Sequence, residues 1–180
     1  MENSSLIKHC PGCGSLRLNW PSSKNFECAD CGFTLYLNIA SAVGVIIECQ
    51  GKILFGIRKN EPKKGMLDLP GGFVDPDETA EDGARREVRE ELGIDVGELK
   101  YFCSFPNRYL YRGIEYHTLD LIFLLQMDKQ PDARAADDLE GFIWVRREDV
   151  EYEKIGFESL RKAVREYVSK NGDSMLDSQS

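Results

Sequence analysis

Apolar and polar positions follow no period over the first 36 residues of the chain, and then the pattern becomes regular. SAVGVIIEC (41–49) and KILFGIR (52–58) are runs of β-branched and aliphatic residues separated by Gln50-Gly51. They predict two strands joined by a tight turn. A polar loop with Pro62, Lys63, Lys64 and Gly65 leads into the punctuated stretch LPGGFVDPDET. From Thr79 the period changes, with Ala80, Ala84, Val88 and Leu92 recurring every four residues. That spacing predicts a helix, capped by Thr79 on the amide of Asp82 and stopped by Gly93. LKYFCSF (99–105), HTLDLIFLLQM (117–127) and GFIWV (141–145) predict three further strands. Phe157, Leu160, Val164, Tyr167 and Val168 form a second helical stripe, running from about Gly156 to Asn171-Gly172. Residues 171–180 are expected to be a disordered tail. Strands dominate, with one central and one C-terminal helix, so the expected class is α+β with a mixed sheet.

Composition adds bounds. With 180 residues, 42% of them hydrophobic and 30% charged, the chain suits one moderate domain with a small appendage. The formal net charge of −8 provides no global basic field to draw the protein to nucleic acid or anionic lipid. An anionic substrate would therefore need a bound cation or a few placed basic side chains. The longest apolar run, LIFLL (121–125), is far too short to span a bilayer, and MENSSLIKHCPGC lacks the apolar stretch of a signal peptide. A soluble, cytoplasmic protein is expected.

Two features carry chemistry. The first is RREVREELG (85–93), where Glu87, Glu90 and Glu91 fall within about 100° of one another on a helix. Like charges at this spacing repel, by a few tenths of a kcal/mol per pair. A hard divalent cation such as Mg²⁺ or Mn²⁺ would reverse the sign of that arrangement. On the helix alone, a solvated face neutralised by Arg85, Arg86 and Arg89 explains the same residues equally well. Gly83 lies on the acidic face, where a missing side chain leaves room for a ligand or an approaching loop. The second feature is a pair of CxxC knuckles, Cys10/Cys13 and Cys28/Cys31, each followed by Gly and separated by fourteen residues. In a reducing compartment they point to a closed four-sulfur site, most simply structural Zn²⁺, with rubredoxin-like iron as the alternative. Residues 1–36 hold three basic residues (Lys8, Arg17, Lys24) against three acidic ones (Glu2, Glu27, Asp30). That balance makes them a poor phosphate tracker, so a structural or docking role is expected and nucleic acid is not an expected partner.

Written from Gly72, the chain reads GFVDPDETAEDGARREVREELGI and resembles the Nudix box, Gly-x5-Glu-x7-Arg-Glu-U-x-Glu-Glu-x-Gly-U with U aliphatic. Gly72, Glu78, Arg86, Glu87, Val88, Glu90, Glu91, Gly93 and Ile94 fall in place. The resemblance implies a Nudix domain over residues 38–170, mixed sheets sandwiched by helices, preceded by a zinc ribbon at 1–36. It implies a metal-dependent hydrolase that cleaves a nucleoside diphosphate linked to another moiety. In that reading Glu87, Glu90, Glu91 and the Gly71 carbonyl hold Mg²⁺ or Mn²⁺, Arg86 orients Glu87, and Glu78 holds Arg86. Glu87 or a loop acid (Asp137, Asp138 or Glu140) would take the proton.

A ribbon before a Nudix domain is similar to NADH pyrophosphatases. Their SQPWPFPxS motif, however, is here CSFPNRYLY (103–111), and a Trp often seen three residues before the Pro is Leu67. ADP-ribose or a nucleotide sugar is the leading substrate expectation, with NADH or a dinucleoside polyphosphate behind it. Arg58, Lys63 and Lys64 are candidate phosphate contacts, and Arg108, Tyr109, Tyr111 and Tyr116 candidate base or ribose contacts. A homodimer is compatible with the sequence. The competing reading is a non-catalytic, nucleotide-sensing Nudix domain with the ribbon as an interaction module.

Overall fold

The computed structural model describes residues 6–112 and 114–172, with the Tyr109 side chain left aside. Of the tail expected at 171–180, residues 171 and 172 are helical and the rest lies outside the described residues. The chain packs as two compact units, one formed by residues through Ile39 together with Arg108–His117, the other by Ala40–Asn107 and the chain from Thr118 onward.

In the first unit, β1 (Leu18–Ser22), β2 (Asn25–Cys28) and β3 (Thr34–Tyr36) form a three-stranded antiparallel sheet. It closes around Phe26, which is fully buried and whose ring lies 5.1 Å from that of Trp20.

The second unit is a mixed sheet. β4 (Ala40–Cys49) and β5 (Lys52–Arg58) pair antiparallel only next to their turn, where Gln50 and Gly51 both take positive φ. Beyond it β5 turns away to pair antiparallel with the two-residue β6 (Leu67–Asp68) and with β9 (Leu139–Arg146). β4 runs parallel to β8 (Ile114–Met127) from Ala40↔Thr118 to Cys49↔Met127, and β7 (Lys100–Tyr111) lies beside β8.

The two helices, α1 (Ala80–Leu92) and α2 (Glu158–Gly172), cover opposite faces. Val43, Val45 and Ile47 of β4, Leu54 of β5 and Phe123 of β8 pack with Ala84, Val88 and Leu92 of α1. Their neighbours Ile46, Ile53, Phe55 and Ile122 pack with Leu160, Val164 and Tyr167 of α2. Strand side chains alternate between faces, so strands buried on both sides read as unbroken apolar runs. This is the α+β mixed sheet that the pattern predicts, flanked by helices as the resemblance implies.

Candidate active site and metal centre

The site is built where α1 meets the PGG segment. Thr79 caps α1, its Oγ1 accepting from the Asp82 amide at 3.1 Å, and Gly93 ends the helix at φ 69°. Residues 70–74 are laced onto β4: Val45 N–H donates to Pro70 O, Val43 N–H to Gly72 O and Val74 N–H to Ser41 O. Two glycines make that contact feasible. A β-carbon on Gly71 would lie 2.1 Å from Val43 O, and one on Gly72 would lie 2.5 Å from Glu87 Oε1. Seated this way, the Gly71 amide donates to Glu91 Oε2 at 3.0 Å. Glu91 is buried within the apolar stripe of α1, while Glu90 points outward.

Arg86 is the hub. Its Nε and Nη2 clamp both oxygens of Glu78 at 3.0 Å each, and Nη2 also donates to Phe73 O at 2.9 Å. Nη1 donates to Glu87 Oε1 at 2.8 Å and to Glu90 Oε2 at 3.1 Å. These bonds use all five guanidinium N–H donors. Glu78 reaches Arg86 across Gly83, where an added β-carbon would meet Glu78 Oε2 at 3.0 Å. The gap on the acidic face is thus filled by the approaching loop.

The sheet side brings further acids. Between β8 and β9, Ala136 N–H and Arg134 N–H donate to Glu91 O and Leu92 O, satisfying carbonyls that the end of α1 leaves open. This places the charges of Asp137 and Asp138 where they act on Glu87 and Glu91 respectively. Asp138 Oδ1 accepts from Asn60 Nδ2 at 2.9 Å, and Asp137 sits at φ 51° with its carbonyl accepting from Lys59 Nζ. Neither Lys59 nor Asn60 stands out in the sequence. Glu140 is exposed on β9.

Burial first, then neighbouring negative charge, pushes Glu91 up to about 9, and burial raises Glu87 as well. Glu78 moves the other way, held down chiefly by its hydrogen bonds from Arg86. Acids crowded and desolvated in this manner make a hard-oxygen donor set that suits a divalent cation. Their oxygens are not gathered around one point, however, because the Arg86 guanidinium sits between Glu87 and Glu90.

The cysteines, in contrast, are gathered. The four sulfurs of Cys10, Cys13, Cys28 and Cys31 lie within 4.8 Å of one another, with Cys10–Cys31 and Cys13–Cys28 each at 3.6 Å. A tetrahedron with Zn–S bonds of about 2.3 Å has edges of about 3.8 Å, so the quartet fits a zinc ion. The Gly12 amide donates to Cys10 Sγ at 3.3 Å, and the Cys31 amide is the main cause that draws the Cys28 thiol down to about 7. Both knuckles therefore direct backbone amides at sulfur.

The NUDIX domain family model matches residues 38–167. The chain belongs to the NUDIX family. It is 43% identical over 97 residues to an ADP-ribose pyrophosphatase of Methanocaldococcus jannaschii, a match covering 53% of this chain and 55% of that protein. It is 34% identical over 100 residues to the NAD-capped RNA hydrolase NudC of Vibrio atlanticus, covering 56% and 37% respectively. The chain thus spans about half the length of the first relative and just over a third of the second. Among solved structures, a NUDIX hydrolase from Nitrosomonas europaea superposes with a TM-score of 0.72 at 23% identity, over 93% of both chains. A MutT NUDIX hydrolase from Burkholderia pseudomallei gives 0.56 at 27% identity, over 63% of this chain and 87% of that one.

Within this NUDIX fold the remaining sequence candidates are dispersed. Arg58 is committed inside the chain: it pairs with Asp68, donates from Nε to Pro62 O at 2.8 Å and lies over the Phe157 ring. Lys63 and Lys64 are exposed on the loop between β5 and β6. Arg108, Tyr111 and Tyr116 fall in the first compact unit, where Tyr111 lies under the Arg112 guanidinium. The Tyr109 side chain lies outside the described residues. Among the described residues no helix is long and apolar enough to cross a membrane.

Proposed function

We propose that this chain is a divalent-cation-dependent pyrophosphohydrolase that cleaves a nucleoside diphosphate linked to another moiety, with ADP-ribose or a nucleotide sugar as substrate. The observation that carries the reading is the Arg86 hub, which holds Glu78 and Glu87 beside Glu90 while Gly71 holds Glu91. A non-catalytic sensing domain would be expected to carry degenerate acids, and here Glu78, Glu87, Glu90 and Glu91 are all present.

Glu87, Glu90, Glu91 and the Gly71 carbonyl would hold Mg²⁺ or Mn²⁺. Such an ion, when bound, withdraws charge from the bridging phosphates and makes water a better nucleophile. The chain's own groups do the rest. Arg86, gripped by Glu78, keeps the Glu87 carboxylate aimed across Gly72. Glu87 or a loop carboxylate (Asp137, Asp138 or Glu140) accepts the proton of the attacking water. Lys64 is the proposed phosphate contact, and Arg58 acts indirectly by bracing the loop that carries it. The cysteine quartet would hold Zn²⁺ as a structural ion in a ribbon over residues 1–36, with the NUDIX domain at 38–170.

The substrate assignment leans on the relative named ADP-ribose pyrophosphatase. The relatives named NAD-capped RNA hydrolase make NADH and NAD-capped RNA the second arm of the test. Turnover of ADP-ribose, nucleotide sugars, NADH, a dinucleoside tetraphosphate and NAD-capped RNA is compared as kcat/KM with Mg²⁺ and with Mn²⁺. ADP-ribose is expected to rank first, and Glu90→Gln and Glu91→Gln each to lose at least about 100-fold while staying folded. Undiminished turnover in both variants would overturn the proposal.

A further inference from the structure

We propose that Arg86 latches the cation seat: its Nη1 bond to Glu90 competes with the cation, and loading exchanges that bond while the bonds to Glu78 and Glu87 stay. The inference rests on the proposed cation seat and goes beyond it, since it gives Arg86 a role opposed to binding as well as one that supports turnover.

The five bonds of Arg86 are unequal. Glu78 is held twice, its carboxylate is only 16% exposed, and its Oε2 also accepts from the Asp75 amide. Glu87 is held at 2.8 Å with its side chain 12% exposed, in the space that Gly72 leaves. Glu90 is held once, by the longest bond of the set at 3.1 Å, and its side chain is 44% exposed. The pair is also an i,i+4 contact with the cation on the N-terminal side, the less favourable order on a helix. Water and a competing cation reach Glu90 most readily, and Arg86 loses least by releasing it. Arg86 is thus a positioning residue whose fifth bond sets how tightly the seat takes its ion.

The test is a double-mutant cycle on Mn²⁺ affinity, read by electron paramagnetic resonance of free Mn²⁺ in the wild type, Arg86→Gln, Glu90→Gln and the double variant. Loss of positive charge acts in both backgrounds, and release of a carboxylate acts only where Glu90 is present. Arg86→Gln is therefore expected to tighten Mn²⁺ binding about two- to fivefold more in the wild-type background than in Glu90→Gln. Turnover of Arg86→Gln falls at the same time, because Glu87 has lost its guide; damage that was merely structural would weaken both. Equal factors in the two backgrounds would overturn the latch alone. A wild type that fails to bind Mn²⁺, or binding indifferent to Glu87→Gln and Glu91→Gln, would overturn the seat itself. The wild type supplies a check that needs no folded variant: on Mg²⁺ addition the ¹⁵N resonances of Arg86 Nη shift while Nε, clamped to Glu78, stays. An unmoved Nη signal would also overturn the latch.

Discussion

Gly72 and Glu87 share one volume: a β-carbon on the glycine would lie 2.5 Å from Glu87 Oε1 and 2.8 Å from the carboxylate carbon. Glu87 cannot yield freely, because Arg86 Nη1 holds the same oxygen. Gly72→Ala must therefore push the carboxylate off its guanidinium or pull the PGG segment off β4. Displacing a reacting group by about 1 Å costs on the order of 100-fold in rate. The expected outcome is a kcat lowered by about 10- to 100-fold with KM nearly unchanged and a melting temperature close to wild type. Wild-type kcat in this variant would show that the crowding has no bearing on turnover.

Asp68 provides a pH-dependent test. Burial pushes its carboxyl from the ordinary value of 3.8 up to about 6, against the pull of Arg58. The folded chain then binds the proton more tightly than the unfolded chain. The cost of the ionised carboxylate is fully present above about pH 6 and disappears as the pH falls below about 4. Asp68→Asn has no such dependence. Measured by urea midpoints, the stability of wild type relative to this variant is expected to rise by about 2 kcal/mol from pH 7 to pH 4. If wild type loses ground over that window instead, the Arg58 pair outweighs burial.

These two residues also mark what was legible in the sequence. Both-face burial turns β4, β5 and β8 into apolar runs, and α1 announces its own ends through Thr79 and Gly93, so the mixed α+β class could be read directly, while the sandwich followed from the resemblance of the motif. Gly72 and Glu87 stood in the motif, but only the lacing of residues 70–74 onto β4 shows why the glycine is required. Arg58 looked like a free cation because its partner lies ten residues away, brought near by the Gly56↔Asp68 pairing of β5 with the very short β6. The segment between β8 and β9 docks on α1 through the amides of Arg134 and Ala136. Backbone donors carry no side-chain pattern, so that docking, and with it Asn60 on Asp138, was not readable. β7 runs to Tyr111, past the expected end at residue 105, because exposed and half-buried positions blur its period.

A buried network ties α2 to the sheet. Tyr167 OH donates to Glu48 Oε2 at 2.6 Å and accepts from Gln126 Nε2 at 2.9 Å, and Glu48 is only 5% exposed. Tyr167→Phe keeps the ring and strips that carboxylate oxygen of its close donor, with Arg147 Nε 3.7 Å away. An unpaired buried acceptor costs about 1–3 kcal/mol, more where it is charged. Chemical denaturation is expected to show a loss in that range, and Tyr167→Phe combined with Glu48→Met to recover part of it. Full stability in the single variant would mean that Arg147 alone satisfies Glu48.

The cysteine quartet can be followed with an internal reporter. The chain has two tryptophans, Trp20 and Trp144, and Trp20 lies on the β1 strand with its ring 5.1 Å from buried Phe26. Cys28 follows Phe26 by two residues on β2, so loss of the proposed ion would loosen the strand that holds Phe26 against Trp20 of β1. In a Trp144→Phe background Trp20 is the only tryptophan that emits. A strong chelator is then expected to red-shift its emission and release about one zinc per chain, and Cys28→Ser to show the shifted spectrum from the outset. An emission maximum unmoved by complete metal removal would mean that the three-stranded sheet holds Phe26 and Trp20 together without its ion.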